Sequence, residues 1–166
     1  YLANTISQLH YYQVVHKDLK PKNLLLCQNP QHKNNHKILV CDFGYAQAKM
    51  RDTITEYGGQ MTPCYSAPEQ AIMGENLSAS VDYFRFGIIV HEYLKTGREN
   101  RFSDPRFPEL AQWIDNLTIF DSFERMQSCP NLFDIAHKLR ERVNAQGYRD
   151  VNTDFLWNQL REYNRF

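Results

Sequence analysis

His16-Lys17-Asp18-Leu19-Lys20-Pro21-Lys22-Asn23, with Asp42-Phe43-Gly44 further along, is the stretch on which the reading of this 166-residue chain turns. It sets one carboxylate, Asp18, close to a lysine, an amide and, beyond them, a second carboxylate. The Asn23 carbonyl oxygen and the Asp42 carboxylate are hard oxygen donors of the kind magnesium takes, because that ion keeps several waters and uses few protein ligands. Asp18 can accept a hydrogen bond from a hydroxyl and orient it. Lys20, on the same side of an extended segment, can neutralise a transferring anion. Geometry, more than basicity, is what Asp18 contributes. The set suits phosphoryl transfer, in which divalent cations offset crowded negative oxygens.

Two further segments follow in order: Thr62-Pro63-Cys64-Tyr65-Ser66-Ala67-Pro68-Glu69, and Asp82-Tyr83-Phe84-Arg85-Phe86-Gly87 opening an apolar run. On these motifs together the chain resembles the C-terminal lobe of a eukaryotic protein kinase, firmly from about Leu2 to Gly97 and thinly afterwards. The resemblance implies a mainly α fold with a small β-hairpin, the C-terminal lobe of a protein-kinase-like α+β fold over residues 1–166, with an activation segment at 42–69. It implies Asp18, Lys20 and Asn23 as catalytic residues. Lys20, Asn23, Leu25 and Asp42 would face ATP, with Leu25 as the floor under the adenine, and Asn23 and Asp42 would hold Mg2+. Lys20 and Thr62 beside the acceptor hydroxyl imply a protein substrate with a Ser/Thr acceptor. No glycine-rich GxGxxG loop or VAIK-like strand lysine occurs in the chain. An upstream N-terminal kinase lobe is therefore an expected partner, and little or no phosphotransfer is expected from these residues alone.

The same resemblance assigns supporting roles. His16 is a packing residue of the lobe's interior, and Asp82 hydrogen-bonds backbone amides of the catalytic loop. Glu69 pairs with a buried arginine near the end of the domain, for which Arg149 is the candidate. Cys41 looks into the nucleotide pocket, most simply as a small buried thiol. Three positions depart from the family's pattern. Lys17 replaces an arginine and so loses the planar fork that grips phosphate. Phe84 replaces a tryptophan, and Gly58 occupies a common phosphorylation position. Thr53, Thr55 and Tyr57 remain as acceptors, and control by phosphate is expected to be weak.

Away from the motifs, Leu2, Ile6 and Leu9 have helical spacing. Leu24–Leu26 and Ile38–Val40 are apolar runs on either side of a polar stretch, which predicts a hairpin with a solvated tip carrying His32 and His36. Helices are expected through Leu110, Trp113/Ile114 and Leu117, through Leu132, Ile135, Leu139 and Val143, and through Leu156, Leu160 and Tyr163. His91 and His137 are grouped with these core stripes. Basic and acidic residues balance at 19 each, so no overall field points to nucleic acid or an anionic membrane. Cys27, Cys41, Cys64 and Cys129 have no zinc-like spacing, and no signal sequence or apolar membrane-length run occurs, so an intracellular, cytoplasmic or nuclear setting is expected. A pseudokinase that binds partners without phosphotransfer is the alternative to an active kinase. A small-molecule kinase would share the Asp18, Asn23 and Asp42 logic, but Lys20-Pro21 and Thr62 to Glu69 argue against it.

Overall fold

Apolar side chains at positions 2, 3 and 6 cover one face of a helical turn, and that face closes α1 (Leu2–Tyr11) over the core: Leu2, Ala3 and Ile6 are buried. A computed structural model describes residues 1–28, 36–48, 62, 64–72, 77–95, 108–129 and 131–145. Within them the chain is mostly helical with two small antiparallel sheets. After α1, a left-handed residue, Gln13 (φ 58°), turns the chain into β1 (Val14–Val15).

The predicted hairpin is present as β2 (Leu24–Gln28) and β3 (His36–Val40), paired from Leu24↔Val40 to Gln28↔His36 and so longer than the apolar runs alone suggested. Its two faces differ as strand alternation requires. Leu24 is buried, while Leu25 and its cross-strand partner Leu39 are both 47% exposed on the other face. The Thr5 hydroxyl donates to the Ile38 carbonyl at 3.2 Å and ties α1 to the hairpin. A second sheet was not expected. β1 pairs with β4 (Gln47–Ala48) through Val14↔Ala48 and Val15↔Gln47, and strands of two residues carry no periodicity from which to read them.

The centre is α2 (Ser80–Lys95), against which α3 (Leu110–Leu117) lies so closely that a Cβ on Gly87 would meet Leu117 Cβ at 2.8 Å. Trp113, Ile114 and Leu117 bury the predicted face of α3. α4 (Ser122–Ser128) is too short for the sequence pattern to announce it. Asp121 starts it by accepting from the Glu124 amide at 2.8 Å, an N-cap in the usual sense. α5 (Leu132–Ala145) follows Asn131, whose side chain accepts from Phe133 N, and buries Leu132 and Ile135. Its His137 corrects the core assignment: the side chain is 60% exposed and lies 3.5 Å from Glu141 one turn on. His32, the segment 98–106, and the stripe of Leu156, Leu160 and Tyr163 lie outside the described residues.

The core joins α1, β2, α2, α3 and α5, and it includes Leu19, which is fully buried in the middle of the motif segment. With Leu19 anchored inward, its neighbours Asp18 and Lys20 are directed to the opposite side of an extended backbone. No helix among the described residues is long and apolar enough to cross a membrane.

Candidate active site

Position 17 takes a left-handed backbone (φ 66°), an uncommon conformation for lysine, and the carboxylate of Asp82 holds the loop in it. Asp82 Oδ2 accepts from His16 N at 2.8 Å and Oδ1 from Lys17 N at 2.9 Å, the contacts expected of it. Asp82 is wholly buried at the first turn of α2, and His10 Nε2 closes on it at 2.9 Å. A buried carboxylate that accepts several hydrogen bonds is satisfied rather than costly, and here it fixes a segment with no regular secondary structure. Burial pulls the Lys17 ammonium below its ordinary pKa, and the Asp82 charge opposes that pull.

His16 is the packing residue expected. Its Nδ1 accepts from Asp18 N at 3.3 Å, its Nε2 donates to the Cys41 carbonyl at 3.0 Å, and its ring meets Phe43 edge-on at 4.9 Å. The Cys41 amide returns to the Asn23 carbonyl at 2.9 Å, so the strand end that carries Asp42 is stitched to the 3₁₀ turn Pro21–Asn23. Asp42 follows with φ 63° and is exposed. Cys41 is half-buried, and Leu25 belongs to the open face of the hairpin.

Asp18 is 3% exposed and is the focus of the cluster. Asn23 Nδ2 donates to the Asp18 main-chain oxygen at 2.8 Å and to its Oδ2 at 3.2 Å, which turns the Asn23 carbonyl oxygen away from Asp18. Lys20 Nζ lies 2.7 Å from Asp18 Oδ2 and donates to Thr62 Oγ1 at 3.2 Å. Thr62 in turn donates to Asp18 Oδ1 at 3.1 Å. The structure thus joins Asp18, Lys20, Asn23 and Thr62 through side-chain contacts, with Asp42 linked to them through the Cys41–Asn23 backbone bond.

Two arginines complete the site, and neither was read from the sequence. Arg85 lies in what looked like an apolar run of α2, yet it is 1% exposed and its Nη1 reaches Asp18 Oδ1 at 3.3 Å. The only signal was a charge set within the apolar run from Phe84 to Val90, which asks for a buried partner. Burial lowers the Arg85 pKa, while the charges of Asp18 and Asp82 act to raise it. The second arginine corrects the partner of Glu69. Arg125 of α4 grips Glu69 with both ends of its fork, Nη1 to Oε1 at 2.6 Å and Nη2 to Oε2 at 3.2 Å. It also donates to the Ser80, Ile119 and Phe120 carbonyls, and its guanidinium lies 4.9 Å from the centroid of Phe84. Arg149, the expected partner, lies outside the described residues, as do Thr53, Thr55, Tyr57 and Gly58.

Chemically, the cluster can hold a hydroxyl against Asp18 with a cation beside it. The donors suit magnesium on chemical grounds: the Asn23 amide oxygen and the exposed Asp42 carboxylate are hard oxygens. Among the described residues, no group of three or more His, Cys, Asp or Glu side chains is gathered to cage a metal by itself.

The family model of the protein kinase domain matches residues 1–140. A mouse ribosomal protein S6 kinase alpha-2 is 35% identical over 96 residues, 56% of this chain and 12% of that protein. The human ribosomal protein S6 kinase alpha-3 is 33% identical over 96 residues, again 56% of this chain and 12% of that protein. An Acanthamoeba polyphaga mimivirus protein named as a serine/threonine-protein kinase/receptor is 36% identical over 95 residues, 56% of this chain and 5% of that protein. The chain therefore spans about an eighth or less of the length of these relatives.

Proposed function

This chain belongs to the protein kinase family, and from that premise we propose that its residues form the catalytic-loop half of a Ser/Thr protein kinase domain. With an upstream N-terminal lobe, it would transfer the γ-phosphate of ATP to Ser/Thr hydroxyls of a protein substrate. The observation that carries the reading is the triangle of Asp18, Lys20 and Thr62, closed by contacts of 2.7, 3.1 and 3.2 Å. Asp18 would accept the hydrogen bond of the acceptor hydroxyl and aim its oxygen at the phosphorus, and Lys20 would offset charge on the transferring group. Thr62 would mark where the acceptor lies, because its own hydroxyl already occupies a hydroxyl site on Asp18. Asn23 and Asp42 would hold magnesium, which neutralises phosphate oxygens. Leu25, on the open face of the hairpin, would support the adenine.

The test is Asp18→Asn in the full-length protein. Turnover of a Ser/Thr peptide library should fall about 100-fold or more, the usual contribution of a positioned proton acceptor. Affinity for MgATP should be kept. The melting temperature should drop as well, because Arg85 loses the charge it pairs with. Wild-type rates in the variant would sink the role of Asp18, and absence of phosphotransfer from the unaltered protein would favour a binding module.

A further inference from the structure

We propose that Arg85 is a positioning residue for the transfer, the standing counter-ion of Asp18 that releases Lys20 for the phosphoryl group. The inference rests on the kinase reading above. A carboxylate offers about four acceptor sites, and four donors already surround this one. Thr62 Oγ1 and Arg85 Nη1 are on Oδ1, at 3.1 and 3.3 Å. Lys20 Nζ and Asn23 Nδ2 are on Oδ2, at 2.7 and 3.2 Å. A substrate hydroxyl can therefore bind Asp18 only by displacing a donor. Lys20 and Thr62 are the displaceable ones: the Lys20 side chain is 21% exposed and Thr62 is half-buried. Arg85 is held from every side. Its Nε donates to Gln70 at 2.9 Å, its Nη1 to the Leu19 carbonyl at 3.3 Å and its Nη2 to Ser66 at 3.2 Å.

Charge gives this order a purpose. When Lys20 turns to the transferring group, Asp18 is left as a buried carboxylate that has lost its nearest cation, an arrangement that is strongly unfavourable without a replacement. Arg85 is that replacement, and it does not move. Two of its other bonds run to Ser66 and Gln70, just beyond Thr62, and Gln70 itself donates to the Lys17 carbonyl at 3.0 Å. The carboxylate and the segment that would receive the acceptor protein are thereby fixed to the same guanidinium.

The experiment uses the full-length protein, MgATP and a Ser/Thr peptide library, with Arg85→Met, Arg85→Lys, Asp18→Asn and the Arg85→Met/Asp18→Asn double variant. Arg85→Met should lower kcat about tenfold or more, while KM and Kd for MgATP stay within about threefold. Arg85→Lys, which restores a cation but not the fork, should recover part of the loss. In the Asp18→Asn background, Arg85→Met should cost nothing further, since the residue acts through that carboxylate. An equal loss in both backgrounds, or MgATP affinity falling in step with kcat, would show that Arg85 only supports the fold and would overturn the proposal. Should Arg85→Met fail to fold, Ser66→Ala combined with Gln70→Met strips two anchors from a retained arginine. That pair should lower kcat with unchanged MgATP affinity, and wild-type kcat from it overturns the proposal. An active unaltered protein whose Arg85→Met variant is equally active removes this inference alone, whereas an inactive unaltered protein removes the kinase reading with it.

Discussion

At the scale of single residues, the site depends on buried ions that are fully partnered. Glu69 is the clearest case, with Arg125 on both of its oxygens and the Ser80 hydroxyl on one of them. Removing one member of such a pair leaves the other charge buried alone, so Glu69→Ala should destabilise the full-length protein by about 3–5 kcal/mol. A denaturant titration would measure it, and an unchanged midpoint would mean the pair contributes nothing. The sequence marked Glu69 through its motif but missed Arg125, because a helix of seven residues carries too little periodicity to announce which side chain it buries. Arg85 escaped for a different reason: its neighbours Phe84 and Phe86 make the segment read as apolar almost all round, and a single charge in it does not name its partner. Cys129 offers a prediction of another kind. Burial outweighs the nearby Arg125 charge and pushes its thiol up to about 11 from an ordinary 9.0. Since only the thiolate reacts, its alkylation should be negligible at neutral pH and still be accelerating between pH 9 and 11, as residue-resolved labelling would show.

At the scale of elements, α2 organises the rest. It supplies Asp82 to the loop, Arg85 to Asp18, Ser80 to the Glu69–Arg125 pair and Gly87 to the contact with α3. Gly87→Ala would force a methyl against Leu117 Cβ at 2.8 Å and Thr118 Cγ2 at 2.9 Å, and the first of these belongs to a fully buried side chain. Helix propensity favours alanine by up to about 1 kcal/mol, but overpacking of this kind costs about 1–3 kcal/mol, so the variant should melt lower than the parent. A higher melting temperature would show that α3 can slide. The helices and the hairpin were legible because each repeats a pattern over several residues. The β1–β4 ladder was not, since Val14–Val15 and Gln47–Ala48 become strands only through each other, across more than thirty residues of chain.

For the molecule as a whole, what the sequence made plain was chemistry before architecture. Asp18, Lys20 and Asn23 could be named because their side chains are specified by what they must bond, and Thr62 because the family resemblance marks it; the structure brings the four into contact. What remained hidden was the set of ties that makes separate segments one body, because a buried ion pair depends on packing in three dimensions and not on spacing along the chain. One of those ties has a consequence for exchange with solvent hydrogen. The amides of His16 and Lys17 belong to a stretch without a helix or a ladder, and such amides ordinarily trade their hydrogens quickly. Both are held by one carboxylate anchored in the innermost helix. In deuterated buffer they should therefore exchange as slowly as the central amides of α2, opening only when that helix is released, and Asp82→Asn should speed the two of them together.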